Sequence, residues 1–364
     1  MLKKTYDWAI FTAVGIAVLE ILTRLLVPAD ASLLKLPRWQ NQGAVRSGWT
    51  PRWHGNINIE GVGGQKGSYE LRINPFGFRG ASMRTARKPA ETVRIFFMGG
   101  SFVESLALPE EKTFPAQIEQ RLSAAHPGTH YECVNAGLSG FMARDLVAQL
   151  KYSLLNYAPD ILVVTVPAVN DLRYGTLPEF DPAHPASPPS KPEPHGWVRS
   201  SRFLSLAVRL TGRFLRAHVP YSFALDHLRR DYQSVPKTTL AESHALPDFQ
   251  AQLEALIRLA QENHIRLVLT SEPSIYQTPL PPQIENQLWL GLMRKNLNLS
   301  PEFLEKETRR FNQAAEMLAH ESDVVWIDLA GQIPKTLDHF YDDMHLTPAG
   351  AKKTADALIA RLRI

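Results

Sequence analysis

From residue 91 to its end, the chain alternates short apolar runs with longer stretches of helical spacing. Residues 93–98 (VRIFFM), 131–134, 161–166, 266–270 and 324–327 are compact runs rich in β-branched, aromatic and aliphatic side chains, and each predicts a strand. Between them, residues 115–125 place Ile118 and Leu122 on one helical face, with Thr113 as a cap. The same spacing recurs at Leu146, Leu150 and Leu154 within 142–157, and at Leu253, Leu256, Ile257 and Ala260 within 249–262. It returns at Phe311, Ala315 and Leu318 within 301–319, and at Ala351, Ala355, Leu358 and Leu362 within 348–362. Strands that alternate with helices imply right-handed crossovers and a parallel sheet. Strands without polar alternation imply that both faces of that sheet are covered. The expected architecture is therefore a three-layer α/β/α core over residues 91–364.

Two segments interrupt this rhythm. Residues 31–90 carry turn signals at GVGG (61–64) and NPFG (74–77), with short alternating runs at 56–60 and 69–73. They read as a linker leading into small β structure. Residues 172–247 form an insertion that opens with a proline-rich stretch at 178–194, which fits neither a regular helix nor a central strand. Seven arginines follow (Arg199, Arg202, Arg209, Arg213, Arg216, Arg229 and Arg230), with Phe203, Leu206, Leu210 and Phe214 at helical spacing among them. This predicts one or two basic amphipathic helices. They either pack on the core, or form a lid or a surface for a protein or anionic partner.

Residues 1–30 differ again. Sixteen of the twenty residues from Trp8 to Val27 are apolar or glycine, the exceptions being Thr12, Glu20, Thr23 and Arg24. About 20 such residues span a bilayer core, so the expectation is a transmembrane anchor. Glu20 and Arg24 are four apart and can pair on one face. Lys3 and Lys4 then favour a cytoplasmic N-terminus and an extracytoplasmic, periplasmic main domain. Alternatives are a cleaved leader ending at Ala29-Asp30-Ala31 and an amphipathic helix lying on a membrane or partner.

Composition adds bounds. With 364 residues the chain is long enough for a sizeable core, and a net charge of +4 is no nucleic-acid signature. The single cysteine, Cys133, permits no internal disulfide, and no Cys/His cluster has zinc-ligand spacing. The chemistry described next requires no metal and no cofactor.

In open α/β sheets, ligands bind beyond the carboxyl ends of the strands. After the first predicted strand comes Gly99-Gly100-Ser101, after the second Asn135 to Gly140, after the third Pro167 to Asp171. Past the fifth comes Asp342-Asp343-Met344-His345. These clusters should meet at one sheet edge. A serine hydroxyl becomes a nucleophile when a histidine takes its proton. Ser101 and His345 fit those roles, and Asp342 fits the role of holding the imidazole, with Asp343 as the alternative. The N–H groups of Ser101 and Gly140 and the side-chain amide of Asn170 are candidate oxyanion donors, with Gly137 as the alternative to Gly140.

The blocks FFMGGSFVES, NAGLSG, AVND and DDMHLTPAG, in this order, resemble those of the SGNH/GDSL hydrolase superfamily. The resemblance covers residues 91–171 and 248–364 and implies a flavodoxin-like sheet. It assigns Ser101 as nucleophile, Asp342 and His345 as the other triad members, and Gly140 and Asn170 to the oxyanion hole. RINPFGFRG (72–80) resembles a lead-in of some anchored bacterial members. Two positions depart from the pattern: Gly100 stands where the family has aspartate, and Ala168 where it has glycine. The functions implied are a deacylase acting on acetyl or short acyl esters of an envelope glycan or lipid, or an O-acyltransferase with the same triad. A non-catalytic scaffold of a membrane complex is a third possibility that an intact triad argues against.

Overall fold

The computed structural model describes residues 2–26, 38–42, 45–181, 201–294 and 296–362. The proline-rich stretch beyond Asp181, Arg199, and the Ala29-Asp30-Ala31 motif lie outside the described residues. An N-terminal helix, α1 (Leu2–Leu26), precedes two antiparallel hairpins: β1 (Arg38–Gln42) with β2 (Val45–Trp49), and β3 (His54–Asn58) with β4 (Ser68–Arg72). Then the alternation begins with β5 (Thr92–Met98), α2 (Ser101–Glu104), α3 (Phe114–Ala125), β6 (His130–Asn135), α4 (Ala143–Tyr152), β7 (Ile161–Thr165) and α5 (Ala168–Tyr174). The insertion supplies α6 (Arg202–His218) and α7 (Tyr221–Ser234). The core resumes with α8 (Leu246–Glu262), β8 (Arg266–Thr270), α9 (Pro301–Glu321), β9 (Val325–Ile327) and α10 (Pro348–Leu362).

Five strands form one parallel sheet in the order β9-β8-β7-β5-β6. The apolar runs are continuous because both faces are buried: Ile95 to Met98 and Leu162 to Val164 have almost no exposure. α3 packs with α10, and α8 with both α4 and α9, giving a helical layer on each side. Successive connections leave β5 in one direction and β7 in the other. The gap between these two strands is therefore the switch point where such sheets open a crevice. The run expected as one helix over 142–157 divides: α4 ends at Tyr152, and a separate 3-10 turn spans Leu154–Tyr157.

The lead-in is packed into the body. Trp49, Trp53, Ile57, Leu71 and Phe78 are buried in the same apolar core as the sheet. Its strongest tie is Arg79. This buried guanidinium donates to the carbonyls of Glu104, Ser105 (2.5 Å) and Leu108, just past the C-terminus of α2. The backbone N–H of Arg79 also bonds the Asn135 carbonyl at the end of β6, at 3.3 Å. One residue of the lead-in thus fixes the segment that carries Ser101.

The N-terminal run is helical, but the transmembrane reading is corrected. Among the described residues no helix is long and apolar enough to cross a membrane. Lys3, Lys4, Asp7, Glu20, Arg24 and several threonines dilute the 25 residues of α1. Glu20 and Arg24 do pair, at 2.6 Å.

Removing the Arg79 charge strands several buried carbonyls, each costing about 1–3 kcal/mol. Arg79→Met should therefore shift the urea midpoint down by the equivalent of about 3 kcal/mol or more. An unchanged midpoint would show that the lead-in does not brace the body.

Candidate active site

The first three core strands end at the same edge. β5 ends at Met98, and two glycines later Ser101 opens α2. His345 lies in the loop before α10, 244 residues further on. The structure brings them together: His345 Nε2 is 2.8 Å from Ser101 Oγ. On the other side of the ring, Nδ1 is 2.8 Å from both carboxylate oxygens of Asp342. A neutral imidazole can then donate from Nδ1 to Asp342 and accept the serine proton at Nε2.

Asp342 has no exposure to water, so its charge depends on donors. Its Oδ1 accepts from the backbone N–H of His345 at 3.0 Å and of Met344 at 3.2 Å. Its Oδ2 accepts from the indole Nε1 of Trp289 at 2.8 Å. Burial works against the ionised carboxyl, but the His345 charge and these hydrogen bonds outweigh it, and Asp342 is held below the usual carboxylate range. The converse holds for His345. Burial disfavours the imidazolium, Asp342 more than compensates, and the proton affinity rises above the ordinary value. Trp289 and Tyr341 lie nearly parallel to the imidazole, at ring separations of 6.3 and 5.6 Å.

Asp343 faces elsewhere. It accepts from Tyr276 Oη at 2.8 Å and from the backbone N–H groups of Trp289 (2.8 Å) and Leu290 (3.2 Å). Burial, then the neighbouring Asp342 charge, pushes it up to about 6. Its work is to hold the 289–290 segment that delivers the Trp289 indole to Asp342.

The loops beyond β6 and β7 complete the rim. Gly140 has φ +77°, a left-handed conformation that favours glycine. Gly137 is a packing position: its N–H bonds Asn135 Oδ1 at 3.1 Å, and an added Cβ would sit 2.4 Å from the Glu104 nitrogen. Asn170 Nδ2 donates to the Phe141 carbonyl at 2.9 Å. A Cβ at Gly100 would approach that same nitrogen to 2.8 Å. Glycine at this departure from the family pattern leaves the Asn170 amide its present place, and a Cβ there would require the end of that side chain to shift.

Buried acids pin these loops. Glu104 Oε2 accepts from the Ser139 N–H at 3.1 Å and from its hydroxyl. Glu272 Oε2 accepts from the Val169 N–H at 2.7 Å, and Asp171 Oδ2 from the Ala143 N–H at 2.9 Å. Among the described residues no group of three or more His, Cys, Asp or Glu side chains is placed to hold a metal ion.

Residues 97–353 match the model of the GDSL-like lipase/acylhydrolase family. The chain belongs to that family. It is a serine hydrolase of the SGNH type. The comparison with curated proteins gives no match. Among solved structures, it is similar to the acetylxylan esterase Axe2 of Geobacillus stearothermophilus, with a TM-score of 0.44, 14% identity, and coverage of 75% of this chain and 94% of that one. The acetyl xylan esterase AlAXEase gives 0.43, 15% identity and coverage of 75% and 100%. A putative lipolytic protein of the G-D-S-L family from Desulfitobacterium hafniense gives 0.39, 14% identity and coverage of 73% and 99%. Likenesses of this size carry nothing about substrate.

Sequence reasoning left Trp289, Glu272 and the clamp made by Glu104 out of the hydrolase site. Trp289 lies in no periodic run and no family block. A glutamate three residues after Ser101 was a visible signal for Glu104, but its partner Ser139 is 35 residues away.

To accept a proton from Ser101 at Nε2, His345 must be neutral. Activity should therefore appear as pH rises through a value above the ordinary histidine value of about 6.5. An acid limb centred below 6 in kcat/KM would contradict this pairing. Trp289→Phe should lower kcat about tenfold, the ~1.4 kcal/mol expected for a donor to a buried charge, with KM nearly unchanged. Gly100→Ala should displace Asn170 and lower kcat about tenfold or more while the fold persists by circular dichroism; wild-type turnover would show that the contact yields freely.

Proposed function

We propose that this hydrolase removes short acyl groups, acetyl or a few carbons long, from hydroxyl-bearing glycan or lipid substrates through an acyl-enzyme. The observation that carries the reading is the continuous hydrogen-bonded line Ser101 Oγ–His345–Asp342, with both links at 2.8 Å. In this reading Ser101 Oγ attacks the ester carbonyl as its proton passes to His345 Nε2. The carbonyl oxygen becomes an oxyanion, taken up by the N–H groups of Ser101 and Gly140 and by the second N–H of the Asn170 amide. His345 returns its proton to the departing alkoxide, the alcohol leaves, and Ser101 is acylated. Water, deprotonated by His345, then releases the acid. Phe141, Ala168 and Val169, the apolar side chains beside Asn170, have no appreciable exposure, so they offer no trough to a long acyl chain. That supports a short acyl group. A scaffold would need no hydroxyl aligned on a buried His–Asp pair.

Ser101→Ala should abolish labelling by a fluorophosphonate and lower turnover of p-nitrophenyl acetate by about 10⁴-fold or more, with circular dichroism unchanged. Acetyl and butyryl esters should exceed decanoyl esters in kcat/KM by about tenfold or more. Labelling that survives in Ser101→Ala would sink the nucleophile, and a preference for decanoyl esters would sink the short-chain reading. Transfer to an added sugar hydroxyl at the expense of hydrolysis would replace the esterase reading by a transferase one.

A further inference from the structure

α1 and α6 form a paired surface of unusual composition. Fourteen of the seventeen exposed large hydrophobic side chains among the described residues lie on α1, α6 and the corner from Val219 to Phe223. Leu25 and Leu26 are about three-quarters exposed, and Ile21, Phe214 and Phe223 more than half. Elsewhere such residues are scattered singly, at Tyr152, Met317 and Val325. A contiguous patch of this kind marks an interaction site.

The acidic group at the α1–α6 junction is already consumed. Glu20 Oε1 accepts from Arg24 Nε at 2.6 Å, and its Oε2 accepts from Ser201 Oγ at 2.7 Å and the Phe203 N–H at 2.9 Å. Its charge thus rests at the N-terminus of α6, where the helix dipole favours it. Thr23 is satisfied too, by the Leu19 carbonyl at 2.7 Å. α6 itself carries four arginines and no acid. The pair is tied to the body through the Asn58 bond to the His218 carbonyl, at 3.3 Å.

We infer that this surface seats on an anionic phospholipid bilayer, lying in its interface without crossing it. Charge complementarity selects the occupant: the α6 sequence interleaves arginines with large apolar residues and carries no acid, which suits anionic headgroups over acyl chains, although Arg216 lies over the Trp53 ring. Shape selects it too. At 100° per residue, the exposed apolar positions of α1 sweep more than half its circumference. A rigid protein surface covers a narrower face of a helix than this, whereas a bilayer interface adapts to a broad one. The inference does not depend on the esterase reading.

Flotation of the full chain tests it, with vesicles of phosphatidylcholine alone or mixed with phosphatidylglycerol. The chain should float with the mixed vesicles and do so about tenfold less with phosphatidylcholine alone or in high salt. Leu22→Glu with Leu25→Glu, and separately Arg213→Glu, should lose flotation by about tenfold while turnover of soluble p-nitrophenyl acetate stays at the wild-type value. Failure of the wild-type chain to float on either vesicle, including as a discrete dimer or an aggregate, overturns the inference. So does flotation of the Leu22/Leu25 variant at the wild-type level.

Discussion

A carboxylate that has lost all contact with water must be surrounded by donors, and Asp342 is the group around which this hydrolase is arranged. Two backbone N–H groups, the Trp289 indole and the His345 ring meet it. Its neighbour in sequence cannot share those donors. Two adjacent buried acids repel, so the chain points them apart and spends them differently. Asp342 stays ionised against His345, while Asp343, pushed up to about 6, gathers Tyr276 and the N–H groups of Trp289 and Leu290. The dipeptide thus grips the 289–290 segment twice. The position of the imidazole, and through it the 2.8 Å contact with Ser101, depends on both grips.

The additions to the sheet close around the same point. Tyr341, parallel to the His345 ring, packs in a small apolar cluster with Val62 of the lead-in, Ala107 and Leu225 of α7. Arg229 of α7 donates to the Tyr341 carbonyl at 2.8 Å. A side chain at Gly63 would come 3.3 Å from the Tyr341 Cβ. Lead-in and insertion are therefore parts of the wall beside the histidine, and Arg79 performs the matching service behind the serine. A sheet with bare loops would hold the same residues with fewer constraints, and a misplacement of about 1 Å is enough to slow a reaction severely.

Much of this was legible because it is periodic or local. The strand–helix alternation gave the parallel sheet, and the polar blocks following the strands gave the cluster of Ser101, Asn170 and the Asp342–His345 loop at one edge. The spacing of three pointed to Asp342 over Asp343, and Asp342 is the carboxylate that the His345 ring meets, for a loop that curls back can bring both backbone and ring to one carboxylate. Trp289 was illegible because it contacts Asp342 across 53 residues from a stretch without periodicity. Arg79 was seen as part of a motif, but a clasp on carbonyls leaves no trace in the residues clasped. The N-terminal helix shows the opposite failure. Counting apolar residues favoured a membrane crossing, whereas Glu20, one of the polar residues it tolerated as exceptions, holds α1 to α6.

Glu272, a buried acid of the loops, raises an electrostatic difficulty for the proposed acyl transfer that its burial relieves. An ionised carboxylate beside the proposed oxyanion donors would oppose the charge that develops during acyl transfer. Glu272 anchors the Val169 N–H, one residue from Asn170, and interacts with His345. Burial pushes it up to about 8, so near neutral pH it is chiefly protonated. It can then hold the loop by accepting from an N–H while adding little negative potential where the oxyanion forms. Glycine at position 100 adds no side chain against the Asn170 amide at the tip of β5. One device controls charge and the other space, and both act on the single loop that carries Asn170.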